Sequence, residues 1–195
     1  LGKYTESKDA LIGYLAKPLP QAKAINANFY IAENFFCLGE YQKAIEFYDK
    51  ALASNQGSEE ASLAQYGKAW SYIKLRRFQD AISEFEILKD MESSLSIKDS
   101  VLFGEAEAYV ELGNFKESIK LYNELIDGYP ESNHLPNAYI KKGESLFQLS
   151  LYDAALETFL EGIQKYPSGE YSDDFHYNIA WAYFKLGRHA KAIEE

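Results

Sequence analysis

Residues 38–52 read LGEYQKAIEFYDKAL. This stretch decides the fold because its opening recurs. LGKY begins at Leu1, LRRF at Leu75, LGNF at Leu112, LSLY at Leu149 and LGRH at Leu186, so successive leucines stand 37 residues apart without insertion or deletion. A fixed period of this size marks a repeat architecture, in which each unit buries its apolar face against its neighbours.

Downstream of each leucine the apolar residues keep helical spacing. Ala44-Ile45, Ala81-Ile82, Ser118-Ile119, Ala155-Leu156 and Ala192-Ile193 come first. The aromatics Tyr48, Phe85, Tyr122 and Phe159 follow, then Leu52, Ile126 and Ile163, with Lys89 as the exception. These offsets form one stripe of an amphipathic helix. Upstream of each leucine, Ala32, Ala69, Ala106, Gly143 and Ala180 form a small column, and Phe35, Tyr72, Tyr109, Leu146 and Tyr183 a bulky one. A small residue lets a neighbouring helix approach, and the bulky residue fills the space that remains. Gly39, Gly113 and Gly187 mark the turn between the helices, where positive φ is commonly required. Arg76 and Ser150 stand there in the other copies, at modest cost.

Each unit is therefore a helix, a tight turn and a second helix. The pattern predicts first helices near 24–37, 61–74, 98–111, 135–148 and 172–185, and second helices near 40–54, 77–91, 114–128 and 151–166. Pro130 and Pro167 end two units, in YPES and YPSG, as prolines beyond a last helical turn do. Pro136 falls in a first turn that tolerates it, and Pro18 and Pro20 separate the opening helix from the first complete pair. The expected division is 1–23 as an orphan second helix and linker, repeats at 24–60, 61–97, 98–134 and 135–171, and a truncated repeat at 172–195.

With its small residue in the first helix, Leu-Gly-x-Tyr turn, Ala-Ile, later aromatic and terminal proline, the chain resembles the tetratricopeptide repeat (TPR) family along almost its whole length. The resemblance implies an all-α, right-handed solenoid of stacked antiparallel helix pairs, its concave side lined mainly by the first helices. The family period is about 34 residues. The additional residues here fall in inter-repeat loops such as YPESNHLPNAY. That loop and the Tyr-Pro-x-Ser ending are similar to bacterial envelope-associated members, of the TolA-binding coordinator and outer-membrane assembly lipoprotein types, which implies an envelope (periplasmic) location over the cytoplasm.

Carried onto this chain, the family's ligand-facing columns are Phe29, Tyr66, Phe103, Ile140 and Tyr177, then Glu33, Trp70, Glu107, Glu144 and Trp181. A further column holds Phe36, Ile73, Val110, Phe147 and Phe184. These aromatics either fill the core between repeats, with the glutamates solvated, or line a groove for an apolar or basic partner segment. Trp70 and Trp181 favour the groove, because tryptophan is enriched among interface hot spots. The family's clamp for an acidic C-terminal tail, built on Lys and Asn, is not matched.

Composition excludes several classes. The 195 residues are 47% apolar, ample for a core. No long apolar run marks a membrane span and no leader pattern is present. Cys37 is the sole cysteine, so no disulfide forms within the chain. The net charge of −10 argues against nucleic acid, and RR at 76–77 and KK at 141–142 read as solvated helix surface. No phosphate loop, nucleophile elbow or zinc-ligand spacing appears, so no catalysis, cofactor or metal is expected. His134, His176 and His189 lie in different units, SDDFH at 172–176 reads as a helix start, and Cys37 as a small packing residue.

The leading function is a non-catalytic protein-interaction scaffold. The alternatives are a structural segment that self-assembles through its repeat ends, or the regulatory arm of an enzyme encoded elsewhere. With an orphan helix at the start and LGRHAKAIEE at the finish, the chain reads as a part of a longer array whose exposed ends can associate.

Overall fold

The computed structural model describes residues 2–16, 21–53 and 59–195; Leu1, Pro18 and Pro20, on which the reading of the opening turn and linker rests, lie outside them. All regular structure among the described residues is helical. The chain divides into two compact units, Leu1–Val101 and Leu102–Glu195. The first holds α1 (Gly2–Leu15), α2 (Gln21–Cys37), α3 (Tyr41–Leu52), α4 (Glu59–Lys74), α5 (Phe78–Asp90) and a short 3-10 helix at Glu92–Ile97. Helix α6 (Lys98–Glu111) begins in the first unit and ends in the second. The second continues with α7 (Phe115–Gly128), α8 (Leu135–Gln148), α9 (Tyr152–Lys165), α10 (Ser172–Lys185) and α11 (His189–Glu194).

The helices fall where the apolar spacing puts them, and each packs on the next within its unit. The 3-10 turn is the addition. No apolar period announces it; it is held by Ser94, whose buried hydroxyl shares its one hydrogen between the carbonyls of Leu88 at 2.6 Å and Met91 at 2.7 Å.

One backbone device joins each pair. Gly39, Gly113 and Gly187 sit at φ of 78°, 73° and 73°, and Arg76 and Ser150 take the same left-handed conformation at 58° and 61°. In each of these five turns the following N–H reaches back to a carbonyl five residues earlier: Glu40 to Phe35, Arg77 to Tyr72, Asn114 to Tyr109, Leu151 to Leu146 and Arg188 to Tyr183, all at 2.9–3.0 Å. This closure satisfies the helix's last carbonyls and turns the chain back antiparallel. Arginine and serine at such a φ carry a steric penalty that glycine avoids.

The residue that faces the next pair varies in size. Position 51 and its equivalents at 125 and 162 each face the next first helix. In the first unit Ala51 and Ala64 share a core with Ile31, Phe35 and Tyr48. In the second, Leu125 shares a core with the small Ala138, whereas Gly162 meets Phe175. A Cβ on Gly162 would collide with the Phe175 ring and come within 3.0 Å of the Tyr139 Cβ. Gly143, in the small column, likewise lies under the Phe159 ring.

Gly162→Ala should therefore destabilise the protein by about 1–3 kcal/mol through overpacking, although alanine is the better helix former. Combined with Phe175→Leu, the loss measured by chemical denaturation should be smaller than the sum of the two single losses. Simple additivity would show that the contact does not limit packing here.

Candidate interaction grooves

The first ligand-facing column splits in two. Phe29 and Tyr66 are half-buried and Tyr177 is 63% exposed. Phe103 and Ile140, expected on the same surface, are only 6% and 4% exposed, which corrects their assignment. Phe103 packs on Tyr122 with ring centroids 6.1 Å apart and stacks on His134 at 4.7 Å; Ile140 belongs to the core around Tyr139 and Phe159.

The glutamates of the second column are engaged within the protein. Glu33 accepts the Tyr48 hydroxyl, Glu107 accepts the Tyr122 hydroxyl at 2.7 Å, and Glu144 pairs with Lys141 at 2.9 Å. Where the donor is a tyrosine it stands fifteen residues on: Tyr48 from Glu33 and Tyr122 from Glu107. Where that position is Phe85, the column carries Trp70, whose ring meets Phe85 edge-on at 6.4 Å. With no hydroxyl to satisfy, an apolar ring replaces the carboxylate. Burial, followed by the nearby glutamate charge, raises the pKa of both Tyr48 and Tyr122 well above the ordinary phenol value.

Two concavities have five side chains in common. In the first unit, α2 and α4 enclose about 420 Å³ lined by Glu33, Phe36, Tyr66, Trp70 and Lys74. In the second, α8 and α10 enclose about 400 Å³ lined by Glu144, Phe147, Tyr177, Trp181 and Lys185. Each residue has its identical counterpart 111 residues on, three periods of 37. Tyr66 and Trp70 meet edge-on at 6.2 Å and 71°; Tyr177 and Trp181 meet at 6.3 Å and 71°. The match was present in the sequence but lay across two helices of neighbouring repeats, which single-column alignment does not combine.

A third hollow, about 480 Å³, lies between α10 and α11, where Tyr177, Trp181, Phe184 and Ile193 present apolar surface. Ile193 is 86% exposed. A fourth, between α3, α4 and α5, holds a charged cluster: Lys68 bridges Asp49 and Glu84 at 2.9 Å each, and Gln65 also donates to Glu84. Burial works against the Lys68 charge, but its bonds to Asp49 and Glu84 outweigh it and raise its pKa. This is a strut between helices.

The histidines stay apart in role. His134 stacks on Phe103, His176 contacts Glu195 at 2.7 Å, and His189 packs on Phe184. Asp173 and Asp174 occupy the first turn of α10, where carboxylates favour the helix dipole. Among the described residues no three His, Cys, Asp or Glu side chains gather to hold a metal, and no helix is long and apolar enough to cross a membrane. Cys37 is exposed at the end of α2, not packed as expected, because its side chain falls off the buried face that carries Ile31 and Phe35.

A family model described as tetratricopeptide repeat matches the chain in four overlapping stretches, residues 32–93, 66–133, 103–170 and 140–195. No curated protein sequence matches the chain. Among solved structures, MamA (41-end) from Desulfovibrio magneticus RS-1 aligns with a TM-score of 0.74 at 12% identity, over 88% of this chain and 90% of that one. A tetratricopeptide repeat protein from Parabacteroides merdae ATCC 43184 aligns with a TM-score of 0.72 at 17% identity, over 99% of this chain and 71% of that one. At such identities the likeness concerns the fold alone.

The raised tyrosine pKa values have a consequence at alkaline pH. The folded protein keeps Tyr48 and Tyr122 protonated while the unfolded chain ionises near pH 10. Their stabilisation is thus complete below about pH 10 and is lost as pH rises above it. Urea unfolding between about pH 9 and pH 11 should show a shallower decline for Tyr48→Phe/Tyr122→Phe than for the parent. Equal slopes would refute the assignment.

Proposed function

Because the chain belongs to the tetratricopeptide repeat family, we propose that it is a non-catalytic scaffold that holds an apolar segment of a protein partner in its aromatic grooves. The carrying observation is that Trp70 and Trp181 each line such a groove. Aromatic side chains supply large contact area at low entropic cost and dominate interface energetics. Phe29 and Tyr66 extend the surface in one unit and Tyr177 in the other, whereas Phe103 and Ile140 serve packing. The repeat partition inferred from the period, with boundaries at 60, 97, 134 and 171, keeps each groove between the first helices of consecutive repeats. The 37-residue period and the YPES and YPSG endings support an envelope-associated setting in a bacterium.

Trp70→Ala and Trp181→Ala should each weaken partner capture by about 1–3 kcal/mol while the circular-dichroism helix signal is retained. Unchanged capture by both variants would remove the grooves from the interaction.

A further inference from the structure

We infer that the cleft between α3, α4 and α5 is a docking site separate from the aromatic grooves, and that it seats an arginine side chain of a protein partner. The inference does not depend on the grooves being used.

The cleft holds about 510 Å³, and its rim is apolar at registers that are polar elsewhere in the array. Ala53 stands where later copies carry Asp90, Asp127 and Gln164. Ile87 stands where the other complete copies carry Lys50, Glu124 and Glu161, and Met91 where the second unit carries Gly128 and Lys165. Ile87 is 50% exposed, so its apolar character answers no demand of the core. Apolar side chains gathered at an opening, on registers otherwise charged, mark a contact face.

The second unit shows what fills the same place. Gln65 and Tyr139 share a register, two periods of 37 apart. Tyr139 is buried, donates its hydroxyl to Glu161 at 2.8 Å and accepts from Lys165 at 2.6 Å, a polar bridge from α8 to α9. In the first unit the registers of Glu161 and Lys165 hold Ile87 and Met91, and Gln65 turns to Glu84 instead. Ile87 has no polar side-chain atom with which to form that bridge, and the space a tyrosine ring would take is left to the cleft.

The charge of the occupant follows from the cluster at the base. Asp49 and Glu84 share the single ammonium of Lys68, which leaves one negative charge. Both Glu84 oxygens are used, one by Lys68 and one by Gln65. Asp49 gives Lys68 one oxygen while its side chain stays 53% exposed, so the surplus charge lies at the opening. Helix α5 adds to it, carrying Asp80, Glu84, Glu86 and Asp90 against Lys89. A cation on an apolar stem complements both parts: its methylenes lie along Ala53, Ile87 and Met91, and its head group meets Asp49. Arginine suits this better than lysine, because the guanidinium is more weakly hydrated and matches a carboxylate with paired donors.

The test is an NMR titration of the 15N-labelled protein with acetylated, amidated Gly-Leu-Arg-Leu-Gly. Parallel peptides carry citrulline, the uncharged isostere of arginine, or glutamate in the third place. The Arg peptide should move the amide signals of Ala53, Ile87 and Met91 saturably. The citrulline peptide should bind about threefold more weakly, and the Glu peptide more weakly still. Asp49→Asn should bring the Arg and citrulline affinities together, while Lys68 keeps its bond to Glu84. Ile87→Gln, at an exposed position, should weaken both peptides by about threefold or more. Equal affinities of the Arg and citrulline peptides for the parent overturn the choice of occupant, as does an Arg preference that survives Asp49→Asn. Unmoved signals at Ala53, Ile87 and Met91 overturn the site. The grooves are judged separately, by partner capture with the Trp→Ala variants, whose side chains do not line this cleft.

Discussion

Everything in this protein depends on how closely consecutive helices can approach. The left-handed turn brings the second helix of a pair back against the first, and the residue facing the next pair sets the gap. Leu125 opposite a small Ala138 and Gly162 opposite Phe175 are two solutions to one volume constraint. Interiors packed at crystalline density leave little tolerance for a different sum. Sequence still drifts in each column, and Ala51 with Ala64 sets two small residues where the other pairs include a bulky one.

The same logic extends to polarity. A tyrosine buried in the second helix needs a partner for its hydroxyl, and a glutamate fifteen residues earlier provides one. Where phenylalanine removes the hydroxyl, the glutamate can become tryptophan, as at Trp70 beside Phe85. Leaving a buried hydroxyl unpaired costs more than the pair contributes, which couples the two positions. Glu144 shows the coupling is not obligatory in reverse: opposite Phe159 it survives by turning to Lys141.

Most of the fold was legible because periodicity is a property of the backbone. The leucine anchors, the glycine turns and the apolar stripes locate nearly every helix, and even Arg76 and Ser150 could be placed in the turn by register. The 3-10 turn at Glu92–Ile97 was not legible, since it depends on one serine hydroxyl reaching two carbonyls. Nor was the burial of Phe103 and Ile140. An aromatic or aliphatic residue in a column looks the same whether a neighbour covers it or not, and for Phe103 the cover includes a histidine from a loop, His134.

The site was harder to read for a geometric reason. A column collects one position from every repeat, whereas a groove collects several positions from two successive first helices. Glu33 and Phe36 come from one helix and Tyr66, Trp70 and Lys74 from the next, so their recurrence as a set appears only when neighbouring repeats are read together. Read by column, Trp70 and Trp181 are two interruptions in a series of glutamates. Read by groove, they are the same residue of the same surface, each with an aromatic neighbour before it and a lysine one turn later. In a repeat protein the core is built from columns, but recognition is built from such combinations. A solenoid can therefore hold its packing constant and still vary what it binds.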